Sequence, residues 1–229
     1  MDMELKVIAR IQSPFSGKFG IPRQSGRVPQ IRSRVVFESA YRNPDALRGL
    51  EGFSHLWLIW QFSEAVTEGW SPTVRPPRLG GNRRMGVFAT RSPYRPNPLG
   101  LSCVKIEKIV SDAKDGPYVE VSGADLLNGT PIYDIKPYLP AADCIPDATG
   151  GFADPLSDYR LSVEDPDGIL NVLPAQDGEW ICALLAEDPR PAYQQDPQRV
   201  YAFECGEYRI AFRVEESRAI LCEVSKKTT

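Results

Sequence analysis

The chain has 229 residues, of which 42% are hydrophobic and 25% are charged, and its formal net charge at pH 7 is −3. This length can bury a sizeable core, as one large domain or as a medium domain with a small one. The mildly acidic balance argues against a surface that attracts anions everywhere, so an anion site must be local. The longest apolar run, residues 56–60, is too short to span a bilayer, and the alternating, charged N-terminus is unlike a signal peptide.

The five cysteines are widely scattered, no CxxC pair occurs, and His55 is the only histidine. This pattern excludes an ordinary Cys/His zinc site and gives no sign of a hydrolase triad. We therefore expect no metal, and we expect free thiols in a reducing cytoplasm. His55 fits a hydrogen-bonded core histidine better than a catalyst.

Short strands with closely spaced turns are predicted for the first 140 residues. Alternating or aromatic runs predict strands at 4–11, 34–39, 52–62, 85–90, 101–109, 118–124 and 132–139. A proline at the first position opens a short helix at 44–51. The turn at 115–117 predicts a hairpin between its two flanking strands. This pattern indicates a closed or nearly closed β-barrel.

The composition changes after residue 142. Residues 143–170 are rich in Pro, Gly, Asp and Ser, as expected of a linker. Apolar residues at helical spacing predict a helix at 178–187, and a hairpin at 199–214 and a strand at 219–224 follow. We therefore predict a mainly β protein with a barrel domain at 1–142 and a small α+β domain at 171–229. No GxGxxG follows a first strand, which argues against a Rossmann fold.

The segment 75–100 is the main candidate site. It holds six arginines, five prolines and four glycines, and the acid-free stretch around it runs from residue 69 to residue 106. Glycines let backbone approach a ligand, and prolines keep the arginine-bearing loops stiff. A solvated basic loop is the plain alternative, but the stiffness and the missing acids favour an anion site.

Three other loops carry candidate residues. Residues 20–24 offer a rigid turn with an arginine and an amide, although a simple surface turn explains them equally well. Ser63 and Glu64 lie where the aromatic strand ends, a common place for ligand contacts. Four polar residues crowd a turn near the expected barrel mouth, where they either orient a ligand or hydrogen-bond the turn itself: Asp125, Asn128, Asp134 and Lys136.

Four longer segments resemble one family. They are GIPRQSG (20–26), LRGLEGFSHLWLIWQF (47–62), RPPRLGGNRRMGVFATRSPYRPNPLGLS (75–102) and LLNGTPIYDIKPYLP (126–140). In this order they resemble the TrmO (YaeB/TsaA-like) tRNA methyltransferases, and LAEDPRPAY (185–193) resembles the second domain of bacterial members. Four long motifs in register are far more specific than one short pattern.

The resemblance implies an S-adenosylmethionine-dependent methyltransferase whose cofactor binds on a β-barrel. It implies a homodimer that methylates N6 of the threonylcarbamoyl-modified adenosine at tRNA position 37, next to the anticodon. Cofactor contacts are implied for Pro22, Arg23, Gln24, Ser63, Glu64, Arg91, Leu101, Asn128, Gly129, Thr130 and Pro131. Asn128 departs from the family, which usually has an aspartate there.

The candidate catalytic residues are Asp125 or Asp134 as the base, together with Asn128. Phe88 and Leu101 are candidates for an apolar wall beside the sulfonium. Arginines expected to meet tRNA phosphates or the substrate's threonine carboxylate are Arg75, Arg78, Arg83, Arg84 and Arg95. Arg190 and Tyr193 either extend the grip on the anticodon arm or form a structural turn.

Two other functions stay open. A barrel that binds S-adenosylmethionine and RNA without turnover is one, because Asn128 lacks the family's charge. A methyltransferase acting on a small metabolite is the other, although the tRNA-like C-terminal motif argues against it.

Overall fold

The computed structural model describes residues 4–65, 69–76, 83–111, 114, 116–156, 158–190, 194 and 196–227. The first eight strands are β1 (Ala9–Gln12), β2 (Arg32–Phe37), β3 (His55–Gln61), β4 (Thr73–Val74), β5 (Met85–Gly86), β6 (Leu99–Val110), β7 (Tyr118–Ser122) and β8 (Pro131–Pro137). Six of them close a barrel in the order β1-β2-β7-β6-β3-β8, while β4 and β5 form a separate ribbon. The predicted barrel is therefore confirmed.

Buried and less buried residues alternate along the strands, and the buried ones fill the barrel interior. In β3, Leu56, Leu58 and Trp60 are buried, whereas the residues between them are only half-buried. The aromatic and β-branched content of this segment predicts a strand buried on both faces, and that prediction is wrong, because the outer face of β3 is only partly covered. β3 pairs antiparallel with β6 on one side and with β8 on the other, which places its aromatic end beside both neighbours.

Two predicted elements are shorter than expected. The strand predicted at 85–90 stops after Gly86 and becomes a 3-10 turn, Val87–Ala89, since both the N–H and the hydroxyl of Thr90 donate to the Val87 carbonyl. The helix predicted at 44–51 is two 3-10 turns, because Gly49 between them has φ of +89°.

The C-terminal unit is a small α+β structure, as predicted. Its elements are β9 (Ser162–Glu164), α2 (Ala175–Ala186), β10 (Tyr201–Cys205), β11 (Tyr208–Glu215) and β12 (Arg218–Lys226), preceded by the short α1 (Pro140–Asp143). The sheet order is β10-β11-β12-β9, with β9 parallel to β12. β9 thus belongs to this sheet although it lies inside the segment 143–170 that composition assigns to a linker.

The loop between β1 and β2 packs onto the C-terminal unit. Phe15, Val28 and Ile31 are buried in the same core cluster as the aromatic residues of β10 and β11. Gly20 has φ of +94°, and a Cβ there would lie 2.3 Å from the ring of Phe203. A side chain at this position is therefore excluded by both conformation and space.

All five cysteines are free thiols. Burial raises the pKa of Cys205 to about 12, so this thiol is unreactive at neutral pH. His55 is half-buried, and its Nδ1 lies 2.9 Å from the Ser54 hydroxyl, which agrees with a hydrogen-bonded structural role. Across the described residues, no helix is long and apolar enough to span a membrane.

Candidate active site

A cleft of about 1080 Å³ lies where the barrel loops meet the C-terminal unit. Its walls come from the β1–β2 loop, the end of β3, the start of β6, the turn after β7 and the end of α2. Eight of the predicted cofactor residues line it: Pro22, Arg23, Gln24, Ser63, Glu64, Arg91, Leu101 and Thr130. Four separate sequence segments therefore converge on one cavity.

A second, larger groove of about 1570 Å³ adjoins the cleft. Residues 69–76 and the β4–β5 ribbon form one side of it, and Phe152 lies on another. Phe88, Arg91 and Tyr94 line both cavities, so the two form one continuous depression. This arrangement can hold a small molecule in the cleft and a longer ligand beside it.

Asp125 is a half-buried carboxylate in the lining of the cleft. Trp60 donates its indole N–H to the Ser102 hydroxyl at 3.0 Å, and Ser102 in turn donates to Asp125 Oδ1 at 2.6 Å. Strands β3 and β6 carry the first two residues, so a rigid part of the barrel orients the carboxylate. We call Trp60, Ser102 and Asp125 the carboxylate relay.

Burial raises the pKa of Asp125 above its ordinary value. The hydrogen bond from Ser102, backbone N–H groups and the charge of Arg91 oppose that effect without cancelling it. A carboxylate with a raised pKa is a stronger base than an exposed one, which suits it to accept a proton from a bound substrate.

The β1–β2 loop is fixed to the cleft by its arginine and its glutamine. Arg91 donates to the side-chain oxygen of Gln24 across the cavity. The guanidinium of Arg23 donates to the carbonyls of Asp188 and Arg190, at 3.2 and 2.9 Å. The C-terminal unit therefore positions a loop that lines the cleft.

Asn128 lies outside the cleft and holds its own turn. Its Oδ1 accepts the backbone N–H of Ser13 at 3.1 Å, and the N–H of Gly129 donates to Ile11 at 2.8 Å. An aspartate oxygen could accept the same bond, so the departure from the family preserves the geometry. Gly129 and Pro131 also fall outside the residues that line the cleft.

Asp134 also lies outside the cleft. Its carboxylate pairs with Lys136 at 3.1 Å on an exposed part of β8 and accepts the N–H of Ile135. Of the three residues predicted to be catalytic, only Asp125 lines the cavity. The predicted roles of Asp134 and Asn128 stay predictions, and Asp125 is the candidate base that lies in the cleft lining.

The described arginines of the basic segment lie around the two cavities. Arg75 and Arg84 line the groove and Arg95 lines the cleft, whereas Arg83 is exposed without lining either. Arg84 donates to Thr73 at 3.3 Å, and none of these four forms an ion pair within the described part of the chain. Arg78 lies outside the described residues.

Arg190 forms an ion pair within the protein. Its guanidinium donates to Asp188 at 2.9 Å, and both side chains are largely buried. Asp188 also accepts a hydrogen bond from Tyr159. These contacts favour the structural-turn alternative for Arg190, so it is not among the RNA contacts proposed below. Tyr193 lies outside the described residues.

Sequence reasoning named Arg190, which lines the cleft, but missed the rest of the C-terminal wall. Leu184, Glu187 and Pro189 line it. Glu187 is buried and pairs with Arg27 of the β1–β2 loop at 2.9 Å and with Arg160 at 2.7 Å. A buried acid between two distant arginines leaves no periodic signal in the sequence.

Comparisons with known proteins agree with this architecture. The tRNA-methyltransferase O N-terminal domain matches residues 10–144, and the TrmO C-terminal domain matches residues 172–227. A tRNA (adenine(37)-N6)-methyltransferase of Escherichia coli K12 is 41% identical over 93% of this chain and 94% of that protein. One of Eikenella corrodens is 50% identical over 74% of this chain and 95% of that protein.

A solved structure has the same fold over nearly all of the chain. The crystal structure of TrmO from Pseudomonas aeruginosa matches with a TM-score of 0.74 and 31% identity, covering 98% of this chain and 100% of that one. Both domain matches occur in one chain and in the family's order. The chain therefore belongs to the tRNA-methyltransferase O family.

Proposed function

We propose that this protein transfers a methyl group from S-adenosylmethionine to N6 of the adenosine at position 37 of tRNA, and that this adenosine carries a threonylcarbamoyl group. The relatives named above are tRNA (adenine(37)-N6)-methyltransferases, and the chain covers nearly their whole length. It is therefore an enzyme of that class. The names of these relatives do not mention the threonylcarbamoyl group, so its presence on the substrate is the more specific part of the proposal.

The cleft has the chemistry that S-adenosylmethionine requires. Leu101 is 56% exposed and offers an apolar wall, while Ser63, Glu64 and Gln24 offer polar groups for the amino-acid and ribose parts. When bound, S-adenosylmethionine supplies an electrophilic methyl carbon and keeps the electron pair of the broken sulfur–carbon bond. An apolar wall suits a centre that loses charge during transfer.

The observation that carries the proposal is the half-buried Asp125 in the cleft, whose Oδ1 accepts a hydrogen bond from Ser102. The N6 nitrogen of the substrate bears a carbonyl substituent, so its lone pair is weakly nucleophilic until the N6 proton leaves. Asp125 accepts that proton as the nitrogen forms its bond to carbon. The relay from Trp60 through Ser102 fixes the direction of the accepting oxygen.

The arginines around the cavities supply the tRNA contacts. Arg75, Arg83 and Arg84 lie on or beside the β4–β5 ribbon, where they can meet phosphates of the anticodon arm. Arg95, at the cleft, is the better candidate for the threonine carboxylate. Replacing Arg83 and Arg84 by alanine should flatten the salt dependence of tRNA affinity, and an unchanged slope would reject the phosphate role.

We further propose that the protein works as a homodimer in the cytoplasm, where its tRNA substrate resides. Leu139 and Ile145 are exposed apolar residues near the hydrogen bond from Trp57 to Asp143, which is consistent with a covered face. Light scattering on the full chain should give the mass of two copies. A monomer mass at micromolar concentration would reject the dimer.

Asp125→Asn tests the role of the base. We expect the turnover number to fall roughly 100- to 10,000-fold while S-adenosylmethionine affinity stays within twofold. Asp134→Asn is the matched control and should keep wild-type turnover. Retained turnover in Asp125→Asn would exclude the base, and S-adenosylmethionine binding with no turnover in the wild type would favour the binding-only alternative.

A further inference from the structure

Three aromatic side chains are exposed in the groove beside the cleft. Trp70 is 54% exposed, Phe88 is 72% exposed and Tyr94 is 55% exposed. The ring centroids of Trp70 and Phe88 lie 5.9 Å apart with 30° between their planes. Neighbouring large rings that keep this much surface in water form an apolar patch that the fold itself does not cover.

Backbone hydrogen bonds tie the segment that carries Phe88 to the segment that follows Trp70. Val87, next to Phe88, is buried, and its N–H donates to the Pro72 carbonyl at 2.9 Å. The hydroxyl of Thr90 closes the same 3-10 turn by donating to Val87 at 2.8 Å. The segments that carry Phe88 and Trp70 are therefore connected by hydrogen bonds, which lowers the entropy lost when a ligand packs against the rings.

Arginines lie beside the patch, in a groove that Asp154 and Glu187 also line. Arg75, Arg84 and Arg91 line the same groove, and none of them forms a direct ion pair with a carboxylate among the described residues. Exposed rings beside guanidinium groups match a ligand that combines flat faces with phosphates. Single-stranded RNA has both, whereas duplex RNA hides its base faces in the stack.

We propose that this groove binds unstacked bases of the anticodon loop, which stack on Trp70 and Phe88 beside the adenosine that is methylated. Tyr94 lines both cavities, so it stands where the chain of bases passes from the groove to the Asp125 cleft. The inference rests on the proposed tRNA substrate and adds a stacking platform to it. The arginines contact phosphates, and the rings contact bases.

The test is the affinity of the full chain for an anticodon stem–loop RNA with 2-aminopurine in the loop. Trp70→Ala and Phe88→Ala should each weaken binding roughly 5- to 100-fold and reduce the fluorescence quenching that stacking produces. Trp70→Phe should recover most of the affinity. Phe53→Ala, which removes an exposed ring from a distant 3-10 turn, is the control and should leave the affinity unchanged.

The salt dependence of RNA affinity distinguishes the contribution of the rings from that of the arginines. Losing a ring should leave the slope of log affinity against log salt unchanged, because no phosphate contact is lost. S-Adenosylmethionine affinity, measured by calorimetry, should be the same in wild type, Trp70→Ala and Phe53→Ala, because neither Trp70 nor Phe53 lines the cleft. If the wild type binds the stem–loop and both alanine variants bind it equally well, the platform is overturned while the methyltransferase proposal stands. If the wild type binds no RNA, both are overturned.

Discussion

Gly100→Ala perturbs the carboxylate relay without touching any of its polar groups. Gly100 lies opposite Trp60 in the pairing of β3 with β6. A Cβ at this position would lie 2.3 Å from Cε2 of the indole and 2.4 Å from Cζ2. The indole must therefore move, although its own N–H bond to Ser102 requires it to stay.

The size of the effect follows from these distances. The ring must retreat by about 1.1 Å, from 2.3 Å to the 3.4 Å at which ordinary contacts begin. A shift of that size breaks the 3.0 Å bond between Trp60 and Ser102. Overpacking of a core typically costs about 1–3 kcal/mol, which for a chain of this length lowers Tm by about 2–4 °C for each kcal/mol.

Two assays check this prediction. Thermal unfolding should show a Tm several degrees below wild type, and the acid limb of the pH–rate profile should move to higher pH. That shift follows because a weaker bond from Ser102 raises the pKa of Asp125 further. Trp60→Phe, which removes the N–H without adding bulk, should reproduce the shift of the acid limb.

Gly52→Ala is the matched control, because a Cβ there meets nothing within 4 Å. It should leave both Tm and the acid limb unchanged. If Gly100→Ala has the wild-type Tm and pH–rate profile, the Trp60 indole is not held in place by packing and hydrogen bonding together.

Asn128→Asp should keep turnover within about threefold, because an aspartate can accept the same Ser13 N–H and residue 128 does not line the cleft. A large gain in turnover would show that the missing charge matters. Glu187→Gln should lower Tm by roughly 10 °C, because removing one member of a buried ion pair costs about 3 kcal/mol or more. Glu223→Gln, which removes one member of an exposed ion pair with Arg209, is the control and should change Tm little. Burial raises the pKa of Asp125, so the stability linked to this group is present at acid pH and is lost as pH rises through the raised pKa. Asp125→Asn should therefore raise Tm of the unliganded protein at pH 7 and change it less near pH 3. An unchanged or lower Tm at pH 7 would contradict the raised pKa of that carboxylate.

Much of the barrel was predictable because its strands alternate. The segments around β3, β6 and β7 carry period-2 apolar patterns bounded by turns, and these patterns specify which face points inward. The prediction failed where local chemistry overrode the pattern. At 85–90 the apolar sequence suits a strand, but the Thr90 hydroxyl caps a 3-10 turn instead.

The site was predictable only in part. The resemblance placed Arg91, Gln24 and Leu101 at one site, and they do line one cavity. It did not separate Asp125 from Asp134, because both lie near one turn in the sequence and only the strand geometry points them apart. The contact of Arg23 with carbonyls 165 and 167 residues later in the chain was beyond local reasoning, since nothing in either segment encodes the other.

Nucleoside mass analysis of tRNA incubated with the protein and S-adenosylmethionine decides whether the protein methylates the modified adenosine. One tRNA sample should carry the threonylcarbamoyl group at position 37, and a matched sample should lack it. We predict a gain of one methyl group on N6 in the modified tRNA alone. A methyl gain on both samples would contradict the proposed substrate, and no gain on either would contradict the proposed activity.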